Sequence, residues 1–316
     1  MPLPTDEKLL ALASNVLAQF DQIFGMHPGF RPAHAKGIML TGTFTPAATA
    51  GEVTKAPHLQ RQVPVTVRFS NSTGLPMLPD TDPNADPRGM AIRFQLAEHV
   101  HTDIVAHSTD GFPTRTGAEF LEMLKALAMS DPNAASDPAT PKPIEMFLGS
   151  HPAAMRFVQT PKPAPSSFAR EAYFGVTAME FTNAEGKKQF GRYRIIPDAG
   201  LEHLDPAAVK ARGANYLFEE IVERVKQGPI GFQVKVQLAN PGDVADDATV
   251  HWPEDRRVAD LGSLKLTEAV AENEAEQKKI IFDPIPRVDG IEPSADPLLE
   301  LRAAIYLMSG RRRRSA

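Results

Sequence analysis

The sequence predicts a single α+β domain, residues 1–316, built around about eight β-strands, a number that can close into a barrel. Three observations carry this reading. One stretch alternates without a break: Ile230, Phe232, Val234, Val236 and Leu238 point one way, with Gly231, Gln233, Lys235 and Gln237 opposite. Further strand-like runs recur at 65–70 and 90–96 and near 173–182, 188–196 and 260–267. Helical signals stand near both ends of the chain and once between.

Residues 5–25 read as an amphipathic helix, because Leu9, Leu10, Leu17, Phe20 and Ile23 recur at helical spacing. From Ala33 to Leu96 the character turns to β. Val65, Val67 and Phe69 alternate with Thr66, Arg68 and Ser70, and Met90, Ile92, Phe94 and Leu96 alternate with Ala91, Arg93 and Gln95. Thr116 with Glu119 three residues later is a capping-box pattern, and Phe120, Leu124 and Leu127 continue it as a helix. Residues 130–167, rich in Pro, Ala and Ser, are expected to form a long wrapping loop. Asp296-Pro297 is a helix start, an acid at the N-cap and proline at the first helical position. It predicts a helix over 298–308, which Gly310 is expected to interrupt.

Composition excludes several function classes. A net charge of -5 gives no electrostatic reason to expect nucleic acid as the main partner. The Arg311–Arg314 run is the exception, and read alone it is a solvated tail. The absence of cysteine removes disulfides, thiolate metal sites, thiol peroxidase chemistry and covalent c-type haem attachment. No window approaches the roughly 18 consecutive apolar residues of a membrane span. Residues 1–8 carry two acids and no basic-then-apolar leader pattern, so the chain reads as cytoplasmic, or periplasmic if a leader has been removed. No internal repeat is present.

Four groups of residues could carry chemistry. On the C-terminal helix, Arg302 and Tyr306 are i,i+4 neighbours. A guanidinium beside a phenol favours the phenolate, the form that binds ferric iron well; the plain alternative is an ordinary surface contact. His34, in Arg31-Pro32-Ala33-His34-Ala35-Lys36-Gly37, is either catalytic or a structural histidine at a strand start. Arg68 sits on an otherwise apolar strand, and its plain reading is an outward-facing side chain. His99 and His101 form a His-x-His pair with no third ligand at a recognisable distance.

Taken in order, Arg31-x-x-His34-Ala35-Lys36-Gly37, Val67-Arg68-Phe69-Ser70, 86–94 (Asp-Pro-Arg-Gly-Met-Ala-Ile-Arg-Phe), Asp103-Ile104-Val105 and Arg302-x-x-x-Tyr306 closely resemble the catalase core. Gly290-Ile291-Glu292-Pro293-Ser294 resembles it too. The likeness runs from about His34 to the C-terminus and is looser in the middle third.

The resemblance implies an antiparallel catalase-type barrel with surrounding helices and a C-terminal haem-ligand helix, holding one non-covalent haem b. It puts His34 at the distal histidine that moves the peroxide proton, with Ser70 as its hydrogen-bond partner. Tyr306 falls at the proximal iron ligand and Arg302 beside it. Phe120 falls where a ring stacks on the haem and Phe112 at another pocket phenylalanine. Arg31, Arg68 and Arg313 fall where arginines neutralise the haem propionates. Where catalases place an asparagine that polarises peroxide, this chain has His107.

That departure, with the lack of a long N-terminal arm and of a C-terminal extension, resembles the short catalase-related peroxidases. The partners implied are peroxide and a small organic electron donor, with no nucleic acid and no membrane; a homo-oligomer is left open. An unperturbed imidazole titrates near pH 6.5, so His107 is expected to make activity weak in dismutation and sensitive to pH. Two rival readings remain. One is a haem-binding or haem-sensing protein without turnover. The other is a fatty-acid hydroperoxide isomerase, whose pattern has threonine where Ala33 stands.

Overall fold

The computed structural model describes residues 4–131, 137 and 139–316. In chain order the elements are α1 (Glu7–Phe24), β1 (Gly37–Pro46), α2 (Ala50–Val53), β2 (Val63–Ser70), β3 (Gly89–Ala97), β4 (Val100–His107), α3 (Gly117–Ala128), α4 (Pro143–Ser150) and α5 (Pro152–Gln159). They continue with β5 (Tyr173–Phe174), β6 (Met179–Thr182), β7 (Lys188–Pro197), α6 (Pro206–Lys210), α7 (Tyr216–Gln227), β8 (Ile230–Leu238), β9 (Val258–Ala269), α8 (Asn273–Lys279), β10 (Ile291–Pro293) and α9 (Leu298–Arg314).

Strands follow one another in the order β7-β5-β4-β3-β2-β1-β9-β8, and β8 pairs back onto β7. Every pairing is antiparallel, so eight strands close into the barrel the sequence predicts, while β6 and β10 extend it on the outside. Alternation explains the interior. In β8 the predicted apolar set, Ile230, Phe232, Val234, Val236 and Leu238, is buried. Phe69 packs against Phe168 at 5.3 Å, Tyr173 at 5.9 Å and Phe232 at 6.0 Å between ring centres, which fills the barrel with aromatic side chains.

A second apolar cluster lies outside the barrel, where α1, α3 and α9 meet. Ala13, Val16 and Leu17 pack with Leu121 and Leu124 and with Leu301, Ala304 and Ile305. The start of α3 is the predicted capping box: Thr116 Oγ1 accepts the Glu119 N–H, and Glu119 accepts the Thr116 N–H. No described helix is long and apolar enough to cross a membrane.

Three expectations are corrected. The stretch 130–167 contains helices α4 and α5. Proline opens each of them, at a position where the missing N–H leaves no bond unmade. Residues 132–136 and 138 of that stretch lie outside the described residues. Helix α9 runs through Gly310 to Arg314 instead of stopping. A Cβ at position 310 would stand 2.2 Å from Ile281 Cδ1, so glycine there lets the chain after α8 lie against the helix. Nor is the arginine run a solvated tail: Arg312 pairs with Asp21, Arg313 is buried, and Arg314 donates to the Lys279 carbonyl.

Candidate active site

A cavity of about 240 Å³ lies between the barrel and the helical cluster. All ten residues nominated from the sequence line it: Arg31 and His34, Arg68 and Ser70 on β2, His107 on β4, Phe112, Phe120 on α3, and Arg302, Tyr306 and Arg313 on α9. His99 and His101 do not line it. His99 is exposed, and among the described residues no group of three His, Cys, Asp or Glu could hold a metal.

Strand register builds the barrel wall. Gly37, Ser70, Gly89 and His107 are successive partners across β1, β2, β3 and β4, forming one row. Neighbouring strands are about 4.8 Å apart, so Ser70 and His107 stand roughly 10 Å apart in that row. His34, with φ 54, is held in the left-handed region, and its N–H donates to the Ser72 carbonyl at 2.6 Å. That strained backbone aims the ring at Ser70, with Nδ1 3.0 Å from Oγ. Gly89 leaves the room: a Cβ there would lie 2.4 Å from Ser70 Oγ and 2.8 Å from His34 Nδ1.

Both histidines are held neutral. Burial, then the Arg68 charge, lowers His34 to about 4. Burial, then His34 and Arg302, lowers His107 to about 3. His107 therefore does not titrate inside the working range as its unperturbed value suggests. Its Nδ1 accepts the Thr109 N–H at 3.3 Å. A neutral imidazole carries one proton, so with Nδ1 accepting, the proton sits on Nε2.

At one end of the cavity three cations gather. Arg68 donates to the His34 carbonyl at 2.8 Å and to Gln277 Oε1 at 2.6 Å, and Arg31 donates to the Gln277 and Ile280 carbonyls. Arg313 donates to Ser309 Oγ and to the Ile280 carbonyl, both at 2.9 Å. Among the ion pairs between described residues, none joins these three arginines to a carboxylate. Burial pushes Arg68 down to about 9 and Arg313 to about 10, and burial with the Arg68 and Arg313 charges lowers Arg31 well below its usual value. Arg313 Nε is buried without a partner. Uncompensated buried charge is costly, so this corner is built for an anion.

On the helix wall, Arg302 Nε and a terminal nitrogen each stand 3.4 Å from Tyr306 Oη, as the i,i+4 spacing predicts. Thr177 Oγ1 lies 3.5 Å from Arg302. Asp296 accepts the Leu298 N–H at 2.9 Å and caps the helix from which both residues project. Burial raises its carboxyl to about 6.

Sequence reasoning missed Phe20, Thr177, Val105 and Phe282, which also line the cavity. Phe20 was legible only as one of the apolar residues of α1 and Val105 only as the end of the Asp103-Ile104-Val105 block, and the other two belong to no motif. Nothing local distinguishes a cavity wall from ordinary core.

The chain matches the catalase family over residues 26–316. It is 32% identical to a catalase-related peroxidase of Synechococcus elongatus, over 93% of this chain and 86% of that protein. It is 33% identical to one of Mycolicibacterium paratuberculosis, over 90% and 89%. Among solved structures it superposes on a fungal catalase with a TM-score of 0.78 at 21% identity, which shows the fold; 99% of this chain covers 64% of that one. A bacterial catalase gives 0.78 at 25% identity, with 62% of its length covered. The chain thus spans just under two thirds of these solved catalases and most of the length of the two peroxidases.

Proposed function

The chain belongs to the catalase family, and from that premise we propose that it is a haem-dependent peroxidase, reducing hydrogen peroxide or organic hydroperoxides at the expense of a small organic donor. It is an enzyme acting on peroxide, as its likeness to two catalase-related peroxidases indicates. The observation that carries the finer reading is the pairing of two unlike walls in one cavity. A phenol with a guanidinium at hydrogen-bond distance stands on one, and a neutral histidine tied to a serine stands on the other.

The residues present fit a non-covalent haem b. Tyr306 would ligate the iron, with the Arg302 guanidinium 3.4 Å from its oxygen. Buried Arg68 and Arg313 and half-buried Arg31 offer cations without carboxylate partners, which suits the two propionates. Phe112 and Phe120 offer apolar faces 5.3 Å apart between ring centres. When bound, haem supplies the iron at which the peroxide O–O bond breaks and from which the donor is oxidised.

The chain's own groups handle protons and orientation. With Nδ1–H given to Ser70 Oγ, His34 keeps a lone pair on Nε2. It takes the proton from one peroxide oxygen and returns it to the other, so that water can leave. His107 presents Nε2–H as a donor to peroxide while staying neutral. Hydrogen peroxide with two electrons and two protons from the donor yields two waters, and an organic hydroperoxide yields an alcohol and one water.

An absorption spectrum of haem-reconstituted protein, before and after peroxide, tests this reading. Bands of tyrosinate-ligated ferric haem that change on peroxide and return on adding an organic donor are expected. Absence of haem uptake, or a spectrum that peroxide leaves unchanged, overturns it.

A further inference from the structure

Helix α1 lies ahead of residue 26, where the family match begins, so membership of the family assigns it no task. It nevertheless supplies part of the cavity wall through Phe20. The Phe20 ring meets Phe120 edge-on, 6.1 Å away at 61°, and stacks near Phe24 at 6.2 Å. Behind it, Ala13, Val16 and Leu17 are buried against the turn of α9 that ends in Ile305, next to Tyr306. Near the far end of α9, Asp21 accepts two hydrogen bonds from Arg312, at 2.5 and 2.9 Å. Helix α1 therefore grips α9 on both sides of Tyr306.

The cavity's two walls differ in how they could open. Strands β2, β3 and β4 are each paired on both sides, so parting them breaks backbone ladders. The helical wall is held by side-chain contacts, and α1 joins the barrel through residues 25–36. Swinging α1 away costs packing and one partly exposed ion pair, and no sheet hydrogen bond. Local opening follows the element with the fewest buried attachments. A planar molecule of porphyrin size needs such a door.

We propose that α1 is the retaining wall of the cofactor chamber: Phe20 closes it, and the Asp21–Arg312 pair holds α1 against the helix that bears Tyr306. This rests on the haem reading above. Phe20, Asp21 and Arg312 act as positioning residues, and the quantity they set is how long the chamber keeps its haem.

The test uses full-length, haem-loaded protein mixed with an excess of a haem-scavenging apoprotein, with transfer followed by absorbance. Phe20→Ala is expected to speed haem loss about tenfold. Asp21→Arg and Arg312→Asp each speed it roughly three- to tenfold, the effect of losing a partly exposed bidentate pair and adding repulsion. The double swap, Asp21→Arg with Arg312→Asp, restores the opposite charges and returns the rate to within about twofold of the parent. Melting of the haem-free proteins separates retention from folding. Loss rates that stay within twofold of the parent, that rise only as far as haem-free stability falls, or that the double swap does not rescue overturn the proposal. A parent that takes up no haem overturns the haem reading itself, and this inference with it.

Discussion

The barrel wall and the helix wall of the cavity are built by different physics, and they place different kinds of side chain. On the barrel side, Ser70, Gly89 and His107 owe their positions to antiparallel register, which locks each residue to its partner and each side chain to one face. On the helix side, Phe20, Phe120 and Tyr306 owe theirs to the packing of α1, α3 and α9 around a shared apolar cluster. A ladder suits the polar contacts of His34, where a few tenths of an ångström decide a hydrogen bond. A packed helical layer suits the broad apolar face, where shape matters more than any one bond. Substitutions at Ser70 and His107 should therefore change rates, and substitutions at Phe20, Phe120 and Tyr306 should change what the cavity holds.

The largest expected effect lies on the helix wall. Tyr306→Phe removes the phenolate oxygen nominated to ligate iron, and tight haem uptake is expected to be lost, as read by the absorption spectrum of reconstituted protein. An unchanged spectrum would erase the contrast between the walls.

Next comes the barrel wall. His34→Ala should leave haem uptake intact and slow the reaction with peroxide by about 10²–10⁴, the usual worth of a positioned proton-transfer group. Stopped-flow rates within threefold of the parent would move that role elsewhere, with His107 the first suspect.

His107 sharpens the same comparison. His107→Leu deletes the Nε2–H donor and should slow the peroxide step on the order of 10², whereas His107→Asn keeps a neutral donor and should cost less than about threefold. Because burial holds His34 near 4 and His107 near 3, the parent's peroxide step should be flat from about pH 5 upward. A step in that profile near pH 6.5 would show a histidine that charges.

The smallest effect tests the barrel interior away from the cavity. His58 is buried against Phe44 and Phe94, its Nδ1 lacks a partner, and burial lowers it from 6.5 to about 4. As pH falls through 6.5 the unfolded chain takes up the proton first. Stability is therefore whole above 6.5 and drains away as pH falls toward 4. Between pH 6.5 and 5 this costs about 2 kcal/mol. His58→Phe should remove its own share of that slope from denaturant melts of haem-free protein, leaving the share of His34 and His107, which burial also lowers; an unaltered slope would show that His58 contributes none of it.

Much of the fold was legible because its signals are local. The β8 alternation, the Thr116–Glu119 capping box and the Asp296-Pro297 helix start are each written within a few residues, and each stands where it was expected. The i,i+4 contact of Arg302 with Tyr306 follows from helix geometry alone. Helices α4 and α5 were hidden because proline marks both loops and first helical turns, and composition does not tell these apart.

What the sequence by itself determined is the set of ten cavity residues and the strand and helix signals that carry them. Only the tertiary structure decided the rest. Gly310 continues α9 because Ile281 needs the space, and the arginine run folds back onto Asp21, Ser309 and the segment after α8. Phe20 becomes a cavity wall, and His107 loses its ordinary titration. The reason is common to all of these. Close approach, burial and the field of neighbouring charges are properties of residues far apart in the chain, and spacing along it does not encode them.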